Sequence, residues 1–249
     1  MNTTAEAGAF YAVGVGPGDP DLVTLRAAAL VHTADVLIAP RSARSDASMA
    51  LAIVEAHRPP EGQELIDHVY PMTRDDASTR ASWEGVADTA AAHCEAGRSV
   101  VQITLGDPLV YSTSSYLIPP LLERLGPERV RIVPGISAFQ AAAVPFAEAL
   151  TLQEDRMLVM TATDLDAVAE ALDRCETLVL YKAGRHVEAL ADLLDARGLA
   201  DRARLVCYAG QEDREYVTRD LRSAADGRHG YLATVIIHVG RRPWEASAP

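Results

Sequence analysis

Residues 11–24, YAVGVGPGDPDLVT, decide the fold, because a short apolar run enters a glycine-rich turn and a helix pattern follows. Tyr11, Val13 and Val15 alternate as in a β-strand. The glycines at positions 14, 16 and 18 allow a positive φ or the close approach of another backbone or a ligand. Pro20 and Asp21 are typical of a helix start, so the sequence predicts a helix over Leu22, Leu25 and Ala29.

This turn does not match the two common nucleotide-binding patterns. A dinucleotide fingerprint needs a third glycine at position 19 and an acidic residue at the end of the next strand. Position 19 is Asp19, and the next strand candidate, Val36 to Ala39, ends in Pro40. No Gly-Lys-Ser/Thr follows, which excludes a Walker phosphate loop. A plain tight turn between strand and helix remains an alternative.

Composition indicates a chain that forms a hydrophobic core and does not favour binding to nucleic acid. The 249 residues are 49% hydrophobic, enough for one large or two small domains. No apolar run reaches the roughly 18 residues of a membrane helix, and MNTTAEAGAF is not a signal peptide, so we expect a cytoplasmic protein. The net charge of -12 opposes binding to nucleic acid, although a local arginine cluster could still hold an acidic metabolite.

The cysteines give no sign of a disulfide framework or a metal site. Cys94, Cys175 and Cys207 are an odd number, widely spaced and without a CxxC pair. We interpret all three as core thiols and predict no metal site.

Strand and helix patterns alternate through the first half of the chain. The safest helix prediction covers Trp83 to Cys94, where apolar residues recur at spacings of three and one. A buried strand, Ser99 to Leu105, runs into a second glycine-bearing loop, and a helical segment disturbed at Pro119 and Pro120 follows. A third such loop, PGISA, follows the strand Val130 to Val133. Loops at the carboxyl ends of parallel strands meet at one ligand crevice, so we predict a binding site there.

The pattern restarts after a segment without periodicity, Pro145 to Asp155, which we interpret as a linker. Strands and helices then alternate up to a β-branched strand at residues 231–239, YLATVIIHV. The fold class is therefore α/β, with an N-terminal domain at residues 1–145, a C-terminal domain at residues 146–249 and a cleft between them as the ligand site.

Five segments in order resemble the tetrapyrrole methylase family over almost the whole chain. They are GVGPGDPDLVTLRA at 14–27, TLGDPLVYST at 104–113, VPGISAF at 133–139, LVLYKAGR at 178–185 and AGQEDRE at 209–215. The resemblance implies two α/β domains around a trough, S-adenosylmethionine as methyl donor with S-adenosylhomocysteine as product, a tetrapyrrole substrate and a homodimer. Three softer features resemble the branch that methylates the C-20 meso carbon of precorrin-2 or cobalt-factor II in cobalamin biosynthesis. They are Pro40-Arg41-Ser42, Pro71-Met72-Thr73-Arg74 and Tyr111-Ser112-Thr113.

The resemblance also assigns site residues. The family's cofactor contacts fall here on Pro17, Gly106, Asp107, Val110, Ser112, Thr113, Ser137, Ala138, Tyr181, Lys182 and Gly210. Each has a plainer alternative; Asp107, for example, could simply cap its own loop. In a transfer from an activated donor, alignment and exclusion of water should supply most of the catalysis.

The tetrapyrrole carries several carboxylates, so we expect fixed cations near it. Arg41, Arg44 and Arg74 are the candidates, with Gly16 and Gly18 in the first turn. Asp19 is a tentative base for the meso proton, although such carboxylates more often bond to nearby backbone. Methylation of another precorrin carbon or of uroporphyrinogen III, and a non-catalytic nucleotide-binding protein, remain alternatives.

Overall fold

The computed structural model describes residues 4–42, 47–70, 76–211, 213–225 and 232–240, and every structural statement below refers to these ranges. The chain divides into two compact units between Ser137 and Ala138. The sequence analysis placed the boundary between residues 145 and 146. Each unit is a sheet with helices packed on it, so the predicted pair of α/β domains is confirmed.

The first unit contains a parallel sheet in the order β3-β2-β4-β1-β5. Its strands are β1 (Phe10–Gly14), β2 (Val36–Ser42), β3 (Glu64–Tyr70), β4 (Val100–Thr104) and β5 (Val130–Val133). Its helices are α1 (Leu25–Thr33), α2 (Met49–Val54), α3 (Asp76–Glu95) and α4 (Ile118–Leu125). Because successive strand residues point to opposite faces, β1 sends Tyr11 and Val13 into the core beneath α1 and α2. Phe10 and Ala12 enter the core beneath α3 and α4.

The second unit contains a mixed sheet in the order β6-β7-β10-β8-β9. Its strands are β6 (Met157–Thr161), β7 (Thr177–Tyr181), β8 (Ala203–Cys207), β9 (Tyr216–Thr218) and β10 (Ala233–His238). Its helices are α5 (Ala138–Ala143), α6 (Leu165–Leu172) and α7 (Val187–Ala196). Only the β6–β7 pair is parallel among the described strands of this sheet; β10 runs antiparallel to both β7 and β8. The segment predicted to be a linker lies inside this unit, where Phe146 is buried against the sheet.

The predicted helix start at Pro20 is wrong. Pro20–Leu22 forms a short 3-10 turn, and α1 begins only at Leu25. The reason is Thr24, whose extended backbone interrupts the helix and whose hydroxyl accepts the N–H of Ala27 at 3.1 Å as an N-cap. Leu25, which the sequence placed inside the helix, is its first residue and is 91% exposed.

The predicted disturbance at Pro119 and Pro120 is also corrected. Both prolines lie in the first turn of α4, where a backbone N–H would have no helical partner in any case. The helix then runs regularly to Leu125 and ends at Gly126, whose φ is +81°.

The three cysteines are buried in the cores, as predicted. Burial raises the pKa of Cys94 and Cys207 to about 11 and raises that of Cys175 as well, which keeps these thiols protonated and unreactive. No helix in the described ranges is long and apolar enough to cross a membrane.

Candidate functional site

The predicted meeting of glycine-bearing loops is present in the first unit. Strand β1 pairs with β4 on one side and β5 on the other, so the chain leaves all three strands at the same edge of the sheet. Val15 donates its N–H to the carbonyl oxygen of Thr104 at 3.0 Å. Gly16 and Gly106 form a reciprocal bridge, with the Gly106 N–H 2.7 Å from the Gly16 carbonyl oxygen. The first two loops are thus joined through their backbones.

Gly14, Gly106 and Gly135 form the closest contact among these loops. A Cβ atom on Gly135 would overlap the carbonyl oxygen of Gly106 and lie 2.8 Å from the carbonyl carbon of Gly14. A Cβ atom on Gly14 would lie 2.7 Å from the nitrogen of Gly135. Such separations leave no room for a side chain, so Gly14 and Gly135 are required for the close approach of three backbones. At these two positions the loops therefore meet through peptide groups rather than through side chains.

Asp107 connects the second and third loops. Its Oδ1 accepts the N–H of Leu109 at 2.8 Å, which is the local capping role considered in the sequence analysis. Its Oδ2 accepts the N–H of Gly135 at 3.1 Å. This second bond was not predicted, because the sequence does not show where the amide of Gly135 lies.

Ser112 anchors the carboxyl-terminal part of the second loop to β4. Its hydroxyl lies 2.8 Å from the hydroxyl of Thr104 and accepts the N–H of Ser114 at 3.1 Å. Ser114 in turn donates to the side-chain oxygen of Gln102 at 2.6 Å. All four residues of this polar chain are buried, so their hydrogen bonds fix the loop on β4. Between the two anchors, Val110 is half-buried and Tyr111 is 50% exposed with a left-handed φ of 51°.

The first turn is more buried than its glycine content suggests. Gly16, Pro17 and Gly18 are all buried, and Gly16 has a φ of +83°. Asp19 is half-buried, and its Oδ1 accepts the N–H of Asp21 at 2.8 Å. The tentative catalytic base is therefore the N-cap of a 3-10 turn, the local role that its residue type favours.

In the second unit, Tyr181 and Lys182 lie at the carboxyl end of β7. The hydroxyl of Tyr181 accepts the N–H of Phe139 at 3.2 Å, which places it beside Ala138 at the start of α5. Lys182 has a left-handed φ of 58° and precedes a short 3-10 turn. The structure thus brings together two predicted contacts, Tyr181 and Ala138, that are far apart in sequence.

Gly210 belongs to the loop that joins β8 to β9. Its N–H donates to Oε1 of Glu215 at 2.7 Å, and its φ is +76°. The guanidinium of Arg214 stacks over the ring of Tyr208 at 3.9 Å. Only Gly210 of this segment was predicted as a contact. Glu215, the carboxylate at the end of the segment, was the sign in the sequence of a partner for the glycine N–H.

The arginines predicted to bind substrate are described only in part. Arg41 donates its Nε–H to Oδ2 of Asp67 at 2.7 Å at the end of the β2–β3 pair. Arg44 and Arg74 lie outside the described residues. Within the described ranges, no group of three or more His, Cys, Asp or Glu side chains could hold a metal ion.

His68 lies near the same end of β3, where its Nε2 is 3.1 Å from the Ser82 hydroxyl on α3. Burial lowers the pKa of His68, with the charge of Asp67 opposing that effect, so the imidazole is neutral near pH 7. A neutral imidazole in contact with Ser82 suits a structural role between β3 and α3.

Comparison with known proteins agrees with this geometry. The family model for Tetrapyrrole (Corrin/Porphyrin) Methylases matches residues 9–225. The cobalt-precorrin-2 C(20)-methyltransferase of Salmonella typhimurium (strain LT2) is 34% identical over 241 residues, which are 96% of this chain and 98% of the relative. The precorrin-2 C(20)-methyltransferase of a Sinorhizobium species is 31% identical over 79% of this chain and 82% of its own.

A solved structure shows the same fold. It is the uroporphyrin-III C-methyl transferase of Thermus thermophilus complexed with S-adenyl homocysteine, with a TM-score of 0.64. The two chains are 23% identical, and the match covers 93% of this chain and 98% of the other. With the family model spanning most of the sequence and the glycine-lined edge in place, the chain belongs to the tetrapyrrole (corrin/porphyrin) methylase family.

Proposed function

We propose that this protein transfers a methyl group from S-adenosylmethionine to the C-20 meso carbon of precorrin-2 or of its cobalt-bearing counterpart, in cobalamin biosynthesis. The observation that carries the proposal is the match to a C(20)-methyltransferase over nearly the full length of both chains. The metal-free and the cobalt-bearing substrate each have a named relative above 30% identity.

The described residues fit such a cofactor. Gly14 and Gly135 have no room for side chains where they pack against Gly106, so a ligand bound beside these three residues would meet peptide N–H and C=O groups. A related structure is complexed with the demethylated product of this donor. When bound, S-adenosylmethionine supplies a methyl group on a positively charged sulfur, which an electron-rich carbon can accept directly. The task left to the chain is to hold the reactants in line and to keep water out.

The proposed cofactor contacts are those that the family resemblance implies. They are Pro17, Gly106, Asp107, Val110, Ser112, Thr113, Ser137, Ala138, Tyr181, Lys182 and Gly210. For Asp107 and Ser112 we assign the contact to the backbone, because their side-chain oxygens already accept backbone N–H groups of the protein.

Gly16, Gly18 and Arg41 are the proposed substrate contacts among the described residues, with Arg44 and Arg74 proposed from sequence alone. Arg41 already pairs with Asp67, so a substrate carboxylate would share that guanidinium or displace the aspartate. We expect Arg41→Ala to raise the KM for the tetrapyrrole about tenfold or more, the value of one charge-assisted bond, with the KM for S-adenosylmethionine unchanged. Arg174→Ala, on an exposed pair with Glu170, is the matched control. Equal tetrapyrrole KM values in both variants would contradict the assignment.

Asp19 is proposed as the group that accepts the meso proton. Asp19→Asn keeps one acceptor oxygen for the N–H of Asp21 but cannot take a proton from carbon, so kcat should fall while both KM values stay the same. An unchanged kcat would assign Asp19 to its capping role alone. We also propose that the protein is a cytoplasmic homodimer, as the family resemblance implies. The net charge of -12 supports a small-molecule substrate rather than nucleic acid.

The deciding experiment is anaerobic incubation of the protein with S-adenosylmethionine and precorrin-2, in parallel with the cobalt-bearing form, followed by mass spectrometry. One added methyl group, located at C-20 by NMR, is the expected result. Methylation at another carbon would replace the substrate position in this proposal. Binding of the cofactor without methylation of either compound would favour a non-catalytic nucleotide-binding protein.

A further inference from the structure

The carboxylate of Asp107 contacts two loops that leave different strands. One oxygen caps its own loop at Leu109, and the other accepts the N–H of Gly135 in the loop after β5. We propose that Asp107 is a positioning residue: it sets the spacing between these two loops and supports cofactor binding through Gly135, not through a contact of its own side chain. The inference about binding rests on the proposed function.

The close packing at Gly135 explains why the two loops need a clamp, by which we mean the two hydrogen bonds that Asp107 accepts. The peptide of Gly135 lies directly against the carbonyl oxygen of Gly106 and the backbone of Gly14. Holding two loops this close together costs conformational entropy. A backbone carbonyl group that packs against another backbone without a hydrogen-bond donor does not offset that cost. The loops after β1 and β4 are held together by the backbone hydrogen bonds between Gly16 and Gly106, which offset this cost. For the loop after β5, the bond from the Gly135 N–H to Asp107 supplies the corresponding link.

The geometry of the side chain argues against direct recognition of a ligand. The Asx-type bond to the N–H of Leu109, two residues on, fixes the rotamer of Asp107. With that rotamer fixed, the second oxygen is aimed at Gly135. A hydrogen bond to an ionised acceptor is among the stronger ones in proteins, which suits a link between two otherwise separate loops.

Two variants separate this role from a direct contact. Asp107→Ala removes both bonds; Asp107→Asn keeps one acceptor oxygen, which we assign to the local cap, and turns an NH2 group toward Gly135. Asp220→Ala is the matched control. Oδ1 of Asp220 accepts the backbone N–H of Arg222 at 3.0 Å, the same local bond that Asp107 makes to Leu109, but Asp220 lies in the other unit. The measurements are hydrogen exchange of the Gly135 N–H by NMR, the Kd of S-adenosylmethionine by calorimetry, and kcat and KM.

In Asp107→Ala we expect the Gly135 N–H to exchange roughly fivefold to tenfold faster, as for one lost hydrogen bond, and the cofactor Kd to rise about tenfold. The change in Kd should exceed the change in kcat measured at saturating cofactor, because bound cofactor favours the original loop spacing. Asp107→Asn should accelerate Gly135 exchange while the Leu109 N–H stays protected, with a smaller rise in Kd. Asp220→Ala should change none of these quantities.

Two results would overturn the proposal. Unchanged exchange at Gly135 together with a weaker cofactor affinity would show a direct contact by Asp107. A fall in kcat with unchanged Kd would show a role in the chemical step. Should Asp107→Ala fail to fold, Asp107→Asn carries the same measurements. If the unaltered protein does not bind S-adenosylmethionine at all, the proposed function fails, and exchange at Gly135 still decides whether the clamp exists.

Discussion

Replacing Gly135 by alanine tests whether the close approach of three backbones is required. The added methyl group would overlap the carbonyl oxygen of Gly106 and lie 2.8 Å and 2.9 Å from the carbonyl carbon and Cα of Gly14. These atoms cannot move aside easily, because Gly14 ends a strand that is hydrogen-bonded on both sides. The two loops must therefore separate, and the Gly135–Asp107 bond is strained with them.

The expected cost follows from two opposing effects. Overpacking a close contact typically costs about 1–3 kcal/mol. The φ of Gly135 is not positive, so alanine has no conformational penalty there and stabilises by about 0.4–1 kcal/mol through the unfolded chain. The net loss in the free energy of unfolding is about 0–2.6 kcal/mol. Cofactor affinity should fall about tenfold or more, because a ligand at this edge meets displaced peptide groups.

The assay is urea unfolding followed by circular dichroism, with the Kd of S-adenosylmethionine from calorimetry. Gly85→Ala is the control: Gly85 lies inside α3 and has nothing within 4 Å of the position of a Cβ, so alanine should stabilise the helix by about 0.5–1 kcal/mol. If Gly135→Ala were as stable as Gly85→Ala and bound the cofactor normally, the loops would have room for a side chain. Such a result would refute the close approach of the three backbones as a requirement of the site.

Three further predictions concern side chains. Ser112→Ala leaves the buried hydroxyl of Thr104 without this partner and should lower the free energy of unfolding by about 1–3 kcal/mol in urea; a loss below about 0.5 kcal/mol would contradict the polar anchor. Glu215→Ala removes the acceptor of the Gly210 N–H and should weaken cofactor binding about threefold to tenfold. Glu215→Gln keeps an acceptor oxygen and should bind the cofactor almost as well as the original protein. Equal affinities of Glu215→Ala and the original protein in calorimetry would contradict this role. The side-chain hydrogen bond from Arg156 holds the pKa of Glu176 at about 2, below its ordinary 4.5, so its stabilisation is complete above pH 4.5 and is lost as pH falls toward 2. The free energy of urea unfolding should therefore depend less on pH in this range for Glu176→Gln than for the original protein. The control Glu170→Gln, which alters an exposed ion pair, should behave like the original protein. The same pH dependence in all three proteins would contradict the prediction.

The parallel sheet of the first unit could be predicted closely from sequence. Strands β1, β2, β4 and β5 each contain a short apolar run that period and length can identify. A helix follows each of the first four strands before the chain returns as a parallel strand. Helix starts were predicted less well, because Pro20 and Thr24 are both good starting residues. The choice depends on where the backbone leaves the glycine turn.

The sheet of the second unit shows what local patterns cannot give. The strand of residues 231–239 was predicted, and β10 is found at Ala233–His238, but its place between β7 and β8, antiparallel to both, was not. That pairing joins segments distant in sequence, and the run reads as a buried strand in either direction. Strand β9, Tyr216–Thr218, was missed, since three residues are too few for a period to show.

Glycine positions in the proposed site were easier to predict from sequence than the roles of its side chains. Gly14 and Gly135 mark places where only glycine fits, so the sequence pointed to them before any partner was known. A carboxylate such as Asp107 is different, because the same residue suits a local cap, a bond to a distant amide or a ligand contact. Only the position of the Gly135 N–H distinguishes these roles, and that position depends on how β1 brings β4 and β5 together. In the proposed site, Asp107 and Glu215 each accept a backbone N–H of a loop. We therefore expect variants of these two residues to alter cofactor affinity more than the rate of the chemical step.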